Sequence, residues 1–431
     1  MKDFAVSDDP AVQAQLDRLG ALSLPQGRFG LETIRELCAR LGNPQDRLPP
    51  VFHVAGTNGK GSTCAYLRAM LEAQGLTVHA ATKPHLVRYN ERIRIAGRLI
   101  DDALLAELLR EVLDLGADLS PSFFEVTTAA TFLAFARYPA DACVIETGLG
   151  GRFDATNVLK APAVCGIASL GIDHEAFLLA PEDGVPVVPL CRIAFEKAGI
   201  AKPGVPLVTQ IYAKDVTRTI IEHAMVVGAK TAIRELDWFA GIGATIAYRD
   251  RFGELDLPLP ELAGLHQADN AALAVAMLRH QSAVTVSPEA MAQGIRAARW
   301  PARLQLLGPG PLTALVPGRR VWLDGGHNAD AGEAIARYFA EGNDLHVIVG
   351  MLAAKNPAAI IGPFRNRIAS LSVVPVAGHD SHPAPAFGPA AKSAPDVATA
   401  LRAISTPGDV LIAGSLYLAG EVLRLNRECP D

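Results

Sequence analysis

A chain of 431 residues has room for two or three domains, and with 50% hydrophobic and 20% charged residues it can bury sizeable cores, which excludes a disordered or fibrous protein. Lys+Arg (40) nearly balance Asp+Glu (45) for a net charge of −5 without long like-charge blocks, which argues against a nucleic-acid partner and leaves only local basic pockets. No apolar run reaches the roughly 18 residues of a membrane span, the acidic start MKDFAVSDDP has no apolar segment, and the six cysteines are scattered with no CxxC pair, so the expected setting is a reducing cytoplasm, away from membranes, with the thiols in the core.

In chain order, Val51–Ala55 reads as a buried strand entering a glycine-rich turn, and Ser62–Gln74 has helical spacing stopped by Gly75. Leu76–Ala81 is a second strand, and Asp101–Leu115 an amphipathic helix capped by Asp101 and ended at Gly116. Ala142–Glu146 is a buried strand leading into a second turn, Gly148-Leu149-Gly150-Gly151. Ala163–Ala168, Pro206–Gln210 and the intervening helices continue an alternation that predicts βαβ units and a parallel sheet. Thr245–Tyr248 and Leu255–Leu257 flank a hairpin turn, and His266–Leu278 and Pro288–Ala298 read as helices. A second α/β series then begins: strand Arg320–Leu323, helix Ala329–Ala340, strands Leu345–Val349 and Leu371–Val376, helix Asp396–Ile404, strand Val410–Ala413. The predicted boundary lies near 298, giving domains 1–297 and 298–431. Leu178–Cys191, with three prolines, and His379–Pro395, rich in Pro, Ala and Ser, predict irregular surface loops.

The first turn, Gly56-Thr57-Asn58-Gly59-Lys60-Gly61-Ser62, joins a strand to a helix. Its glycines let backbone amides point at phosphate oxygens, and the helix adds its positive end. Lys60 supplies a cation for the β and γ phosphates, and Ser62 or Thr63 a hydroxyl for a metal. The strict pattern GxxxxGK[ST] fails twice, with Val54 in place of its first glycine and Gly61 in place of its Ser/Thr. An ordinary GTPase or adenylate kinase is therefore not the natural reading, and a plain βα turn leaves the lysine and glycines unexplained.

This turn resembles the phosphate loop of the Mur-type ligase superfamily, in particular its folate branch, the folylpolyglutamate and dihydrofolate synthases. The resemblance runs through Pro84-His85-Leu86-Val87-Arg88-Tyr89-Asn90-Glu91, Phe123-Phe124-Glu125, Glu146–Asn157, Asp173-His174, Glu196-Lys197-Ala198-Gly199-Ile200 and Gly264–Ala272. It continues in Trp300-Pro301-Ala302-Arg303, Asp324-Gly325-Gly326-His327-Asn328 and Gly414-Ser415-Leu416-Tyr417. It implies an α/β fold with an N-terminal P-loop-type ATPase domain on a mostly parallel sheet and a smaller, Rossmann-like C-terminal domain. It also implies the chemistry: a carboxylate takes the γ-phosphoryl group of ATP, and the amino group of L-glutamate displaces phosphate from the acyl phosphate. The acceptor is dihydropteroate or the γ-carboxylate of a reduced folate such as tetrahydrofolate. Mg²⁺ at two sites, K⁺ activation and a monomer belong to the same expectation, and the two-domain architecture adds domain closure around ATP.

Carried over residue by residue, the resemblance makes Glu146, His174 and a carbamylated Lys197 metal ligands together with Ser62. It sets Arg303, Asp324, His327, Gln267 and Asn270 around ATP, and Phe124, Arg152 and Asp154 on the pterin side. Arg28 and Arg88 are basic candidates for substrate carboxylates. Lys60, His174 and Lys197 form the expected catalytic set. Read without the resemblance, Glu146 is equally a partner for Arg152, His174 a surface loop residue, Lys197 a solvated helix lysine and Arg303 one end of a surface salt bridge. Phe124 is as readily a core aromatic. Lys83 stands where the family usually has a Mg²⁺-ligating serine; it either reaches the phosphates itself or swings out and leaves the place to water or Thr82. The 178–191 stretch looks longer than the family's usual link. A UDP-linked Mur ligase is disfavoured because about 50 residues precede the phosphate loop, and a non-catalytic binder because Lys60, Glu146, His174, Lys197 and Arg303 are all retained.

Overall fold

The computed structural model describes residues 6–22, 30–340 and 344–430. Packing divides the chain into two units. The first takes Met1–Pro84, Arg88–Glu261 and Ala268–Ala298; the second takes His85–Val87, Leu262–Gln267 and Arg299–Asp431.

The first unit is built on eight strands: β1 (Val51–Ala55), β2 (Val78–Ala81), β3 (Ile93–Ile95), β4 (Arg98–Leu99), β5 (Ala142–Glu146), β6 (Val164–Ile167), β7 (Pro206–Thr209) and β8 (Lys230–Ile233). Their order is β4-β3-β2-β5-β1-β6-β7-β8. The six from β2 to β8 run parallel, and β3 and β4 extend one edge antiparallel. Every residue of β1 and β5 is buried, which is why both read as mostly apolar runs rather than alternating ones. One core cluster joins β1 and β5 to helices Pro10–Ala21, Glu32–Arg40, Asp102–Leu115 and Phe123–Arg137; another joins β6 and β7 to Pro189–Ala198 and Lys214–Val227. Asp101 caps its helix by accepting from the Leu104 amide, as its sequence position predicts.

The hairpin expected near 245–257 is one strand larger. β9 (Trp238–Ile242), β10 (Ile246–Asp250) and β11 (Gly253–Leu257) form an antiparallel sheet in the order β11-β10-β9. The β3–β4 hairpin also escaped the sequence reading. Its strands are too short to show a period, and the turn rests on Ala96 and Gly97, both at positive φ (47° and 83°).

The second unit carries β12 (Gln305–Leu306), β13 (Val321–Leu323), β14 (Leu345–Val349), β15 (Ile368–Val373), β16 (Ala391–Ser393) and β17 (Asp409–Ala413), in the order β12-β13-β17-β14-β15-β16. All are parallel except β12. The predicted loop 379–395 is a correction: it contains a 3₁₀ turn, Ala384–Phe387, and β16, which pairs with β15. Three residues show no periodicity, so only pairing along the free edge of β15 reveals them as a strand. A single cut near 298 also leaves out two short segments. Leu86 and Val87 pack on one apolar cluster of the second unit and Ala263 on another. Leu86 lies so close to the C-terminal helix Leu416–Asn426 that a Cβ on Gly420 would overlap its carbonyl oxygen. All six cysteines are free and five are buried. No helix among the described residues is long and apolar enough to cross a membrane.

Candidate active site

β1 delivers the first glycine turn at the carboxyl edge of the sheet, where open α/β sheets bind ligands. Gly59 caps helix Lys60–Ala73 at φ 81°, and a Cβ there would stand 2.3 Å from Asn270 Oδ1. Glycine is required twice over, by conformation and by the approach of Asn270. A Cβ on Gly56 would stand 2.9 Å from the Ala168 side chain. No side chain caps the helix, so its first-turn amides remain for an anion. The loop is strapped to the exit of β6: the Thr57 amide donates to Ser169 O (2.7 Å), Thr57 Oγ1 to Gly171 O (2.9 Å) and Ser169 Oγ to Asn58 O (3.1 Å). These bonds give Thr57 and Asn58 a bracing role that the motif alone does not reveal. Ser62 is buried in the first helical turn after Gly61.

Two lysines meet at this turn. Lys60 Nζ donates to Gly56 O (3.0 Å) and Thr57 O (3.1 Å), and Lys197 Nζ donates to Gly56 O (2.8 Å). Lys197 is almost wholly buried at the end of helix Pro189–Ala198. Burial, and then the charge of Lys60, push its ammonium down to about 7. Read as a sequence, Lys197 passed for a solvated helix lysine; its surroundings make it an amine that sheds its proton near neutrality.

The second glycine turn brings Lys197 into place. A Cβ on Gly151 would stand 2.8 Å from the carbonyls of Glu196 and Lys197, and one on Gly199 2.5 Å from Arg152. The Arg152 amide donates to Glu196 O (2.7 Å). Arg152 itself is bound to Glu182 and Glu196, and Arg192 to the same two carboxylates. Glu146 therefore is not its partner: Glu146 ends β5 buried, and its Oε2 accepts from the Lys83 amide (3.0 Å). Glu182 belongs to the predicted surface excursion, so that segment is anchored midway although Val187 and Val188 are exposed. The (i,i+4) spacing of Arg192 and Glu196 was a readable signal for part of this cluster; Glu182 offered none.

Asp154 is the scaffold of the same turn. Its Oδ2 accepts from the amides of Gly148 (2.8 Å) and Leu149 (2.9 Å), and its Oδ1 from the Thr156 amide (3.0 Å) and hydroxyl. His53 Nε2 lies 2.8 Å from Thr156 Oγ1. Burial pushes His53 down to about 3, so it is neutral and donates to that hydroxyl. Burial works against the charged form of Asp154, but Lys83 and the hydrogen bonds outweigh it and hold the carboxyl below its usual range. Lys83 Nζ lies 3.5 Å from Thr128 Oγ1 and 3.8 Å from where a Cβ on Gly148 would stand, and so faces the second turn rather than the first. Thr82 Oγ1 donates to Glu91 O (3.4 Å).

His174 follows β6 at φ 54° and opens the short helix Glu175–Leu178; its amide donates to Asp173 Oδ1 (2.7 Å). Phe124 is half-buried in a T-shaped contact with Phe123 at 5.3 Å. Arg88 is exposed, and Arg28 lies outside the described residues. Within the second unit, Asp324 braces a tight turn: its Oδ2 accepts from the Leu304 amide (2.8 Å) and its Oδ1 from the Gly326 amide (2.7 Å). Arg303 sits in that turn between Ala302 and Leu304, both at positive φ (55° and 44°), and donates to Ala302 O (2.9 Å). His327 Nδ1 lies 3.1 Å from Gly325 O. Gln267 is buried, with its Nε2 3.2 Å from His266 Nε2.

Among the described residues no three His, Cys, Asp or Glu side chains gather as a metal cage. The oxygens present, the Ser62 hydroxyl and the buried Glu146 carboxylate, suit a Mg²⁺ that takes its other ligands from water and substrate phosphates. Unmodified Lys197 donates a hydrogen bond and offers no ligand.

No family model matches the chain. Among characterised proteins, the dihydrofolate synthase/folylpolyglutamate synthase of Bacillus subtilis is 33% identical over 376 residues, 81% of this chain and 80% of that protein. The chain belongs to this family. Two solved structures agree. Escherichia coli FolC in complex with DHPP and ADP superposes with a TM-score of 0.83 at 30% identity, covering 97% of both chains. The bifunctional folylpolyglutamate synthase/dihydrofolate synthase of Yersinia pestis, complexed with AMPPNP and Mn ion, has a TM-score of 0.83 at 29% identity, covering 96% of this chain and 97% of that one. As a folylpolyglutamate/dihydrofolate synthase family member, the protein is an ATP-dependent ligase.

Proposed function

We propose that the protein joins L-glutamate to dihydropteroate, and to the γ-carboxylate of a reduced folate such as tetrahydrofolate, at the expense of ATP. A carboxylate oxygen of the acceptor attacks the γ-phosphorus and ADP departs, leaving an acyl phosphate. The amine nitrogen of glutamate attacks the acyl carbon, phosphate departs, and the nitrogen loses a proton to give the amide. Such a reaction depends on positioning and on neutralised charge. The observation that carries the reading is the meeting of Lys60 and Lys197 on the Gly56 carbonyl, beneath a turn with free helix amides.

In this reading the loop amides and Lys60 hold the phosphates, and Gly59 with Asn270 closes one flank of the nucleotide site. Arg303, Asp324, His327 and Gln267 are assigned to ATP through the family resemblance, with Asp324 also fixing the turn that carries Arg303. Ser62, Glu146, His174 and Lys197 would hold Mg²⁺, which when bound supplies charge neutralisation at the phosphates. For Lys197 this requires carbamylation, in which the neutral amine adds to CO₂ and loses a proton; its depressed basicity supports that step. Phe124, Arg152 and Asp154 are assigned to the pterin side. Incubation with ATP, Mg²⁺, L-glutamate and either dihydropteroate or tetrahydrofolate should yield ADP and the glutamylated product. Absence of product with both acceptors would refute the proposal.

A further inference from the structure

Strand order sets the order of chemistry along the carboxyl edge of the first unit's sheet. β2, β5, β1 and β6 lie side by side and parallel. Their ends therefore present Lys83, then Glu146 with the second glycine turn, then the phosphate loop, then the segment leading to His174. At about 4.8 Å per strand, the chain at Lys83 sits two strands, roughly 10 Å, from the phosphate loop. The loop already has its own cation, Lys60.

Lys83 is held differently. Its amide donates to the buried carboxylate of Glu146, which fixes the backbone, while its half-buried ammonium lies 3.5 Å from Thr128 Oγ1, its one hydrogen-bond partner among the described residues, and acts on Asp154 by charge alone. The neighbouring carboxylate, Asp154, already accepts from two amides of the glycine turn and twice from Thr156. The ammonium thus keeps donors in reserve beside the phosphate loop but not on it. The carboxylate that attacks ATP is an anion that must lie next to the γ-phosphate and needs a cation that the phosphates do not occupy.

We propose that Lys83 binds the reacting carboxylate of the acceptor and so sets acceptor affinity. The inference rests on the ligase reaction proposed above and adds to it the residue that receives the attacking group. Loss of one charge-assisted hydrogen bond to a carboxylate corresponds to a change of about 10- to 100-fold in affinity.

The test is equilibrium binding to the full chain in the presence of ADP and Mg²⁺. Dihydropteroate is compared with a pterin that lacks the benzoate carboxylate, for the wild type, Lys83→Met and Lys83→Arg. Lys83→Met should weaken dihydropteroate about 10- to 100-fold, leave the carboxylate-free pterin and ADP unchanged, and be largely rescued in Lys83→Arg. Equal weakening of both pterins would mean that Lys83 only shapes the site, and loss of ADP affinity with dihydropteroate unchanged would mean that it serves the phosphates; either overturns the assignment. Wild-type protein that glutamylates an acceptor while Lys83→Met binds dihydropteroate equally well overturns the Lys83 assignment alone. Wild-type protein that neither binds nor glutamylates any acceptor overturns the reaction, and this assignment with it.

Discussion

The functional character of Lys197 comes from its neighbours. Burial and Lys60 lower its ammonium to about 7, so above that pH the neutral, nucleophilic amine predominates and below it the inert cation. Carbamate formation needs the neutral form, so a ¹³C carbonyl signal from labelled bicarbonate should be present at pH 8, fade as pH falls through about 7, and be missing in Lys197→Arg. A nucleotide- and Mg²⁺-bound structure at pH 8 with a bare amine would contradict it. The two aspartates read from the motifs, Asp154 and Asp324, share a different lesson. Each spends its oxygens on backbone amides of a tight turn, so its first effect is to shape the loop that carries other site residues.

At the scale of elements, the second glycine turn and helix Pro189–Ala198 pack backbone to backbone through Gly151 and Gly199. The excursion before the helix clamps that joint, since Glu182 shares Arg152 and Arg192 with Glu196. Removing it leaves two largely buried guanidiniums with one carboxylate. Glu182→Ala is therefore expected to lower stability by about 3 kcal/mol, the lower range for breaking a buried ion pair, read as a shift of the urea midpoint. A change below a few tenths of a kcal/mol would show that the segment is a passive surface loop. Sequence periodicity could not reveal the shortest edge strands: β16 is a strand only because β15 offers an edge, and β3 and β4 because a two-residue turn folds them together.

At the scale of the molecule, a net charge of −5 sits beside substrates that are all anions, so attraction has to come from local cations and helix amides. Nucleotide that binds only the folded chain stabilises it by mass action, about 2.7 kcal/mol at a hundredfold excess over Kd. ADP with Mg²⁺ should thus raise the melting temperature of the wild type in a scanning experiment, and Lys60→Ala should lose most of that shift. An equal shift in the variant would remove Lys60 from the phosphate site.

The sequence by itself determined the α/β class, the buried parallel strands, the strand–glycine turn–helix unit and the family, because apolar runs and motif spacing are local properties of the chain. Tertiary structure alone decided which distant groups meet. Lys197 and Gly56 are 141 residues apart, Glu182 and Arg152 are 30 apart, and Lys83 reaches Glu146 across 63. Those pairings follow from strand order and from glycines that admit a neighbouring backbone, and neither leaves a periodic trace in the chain.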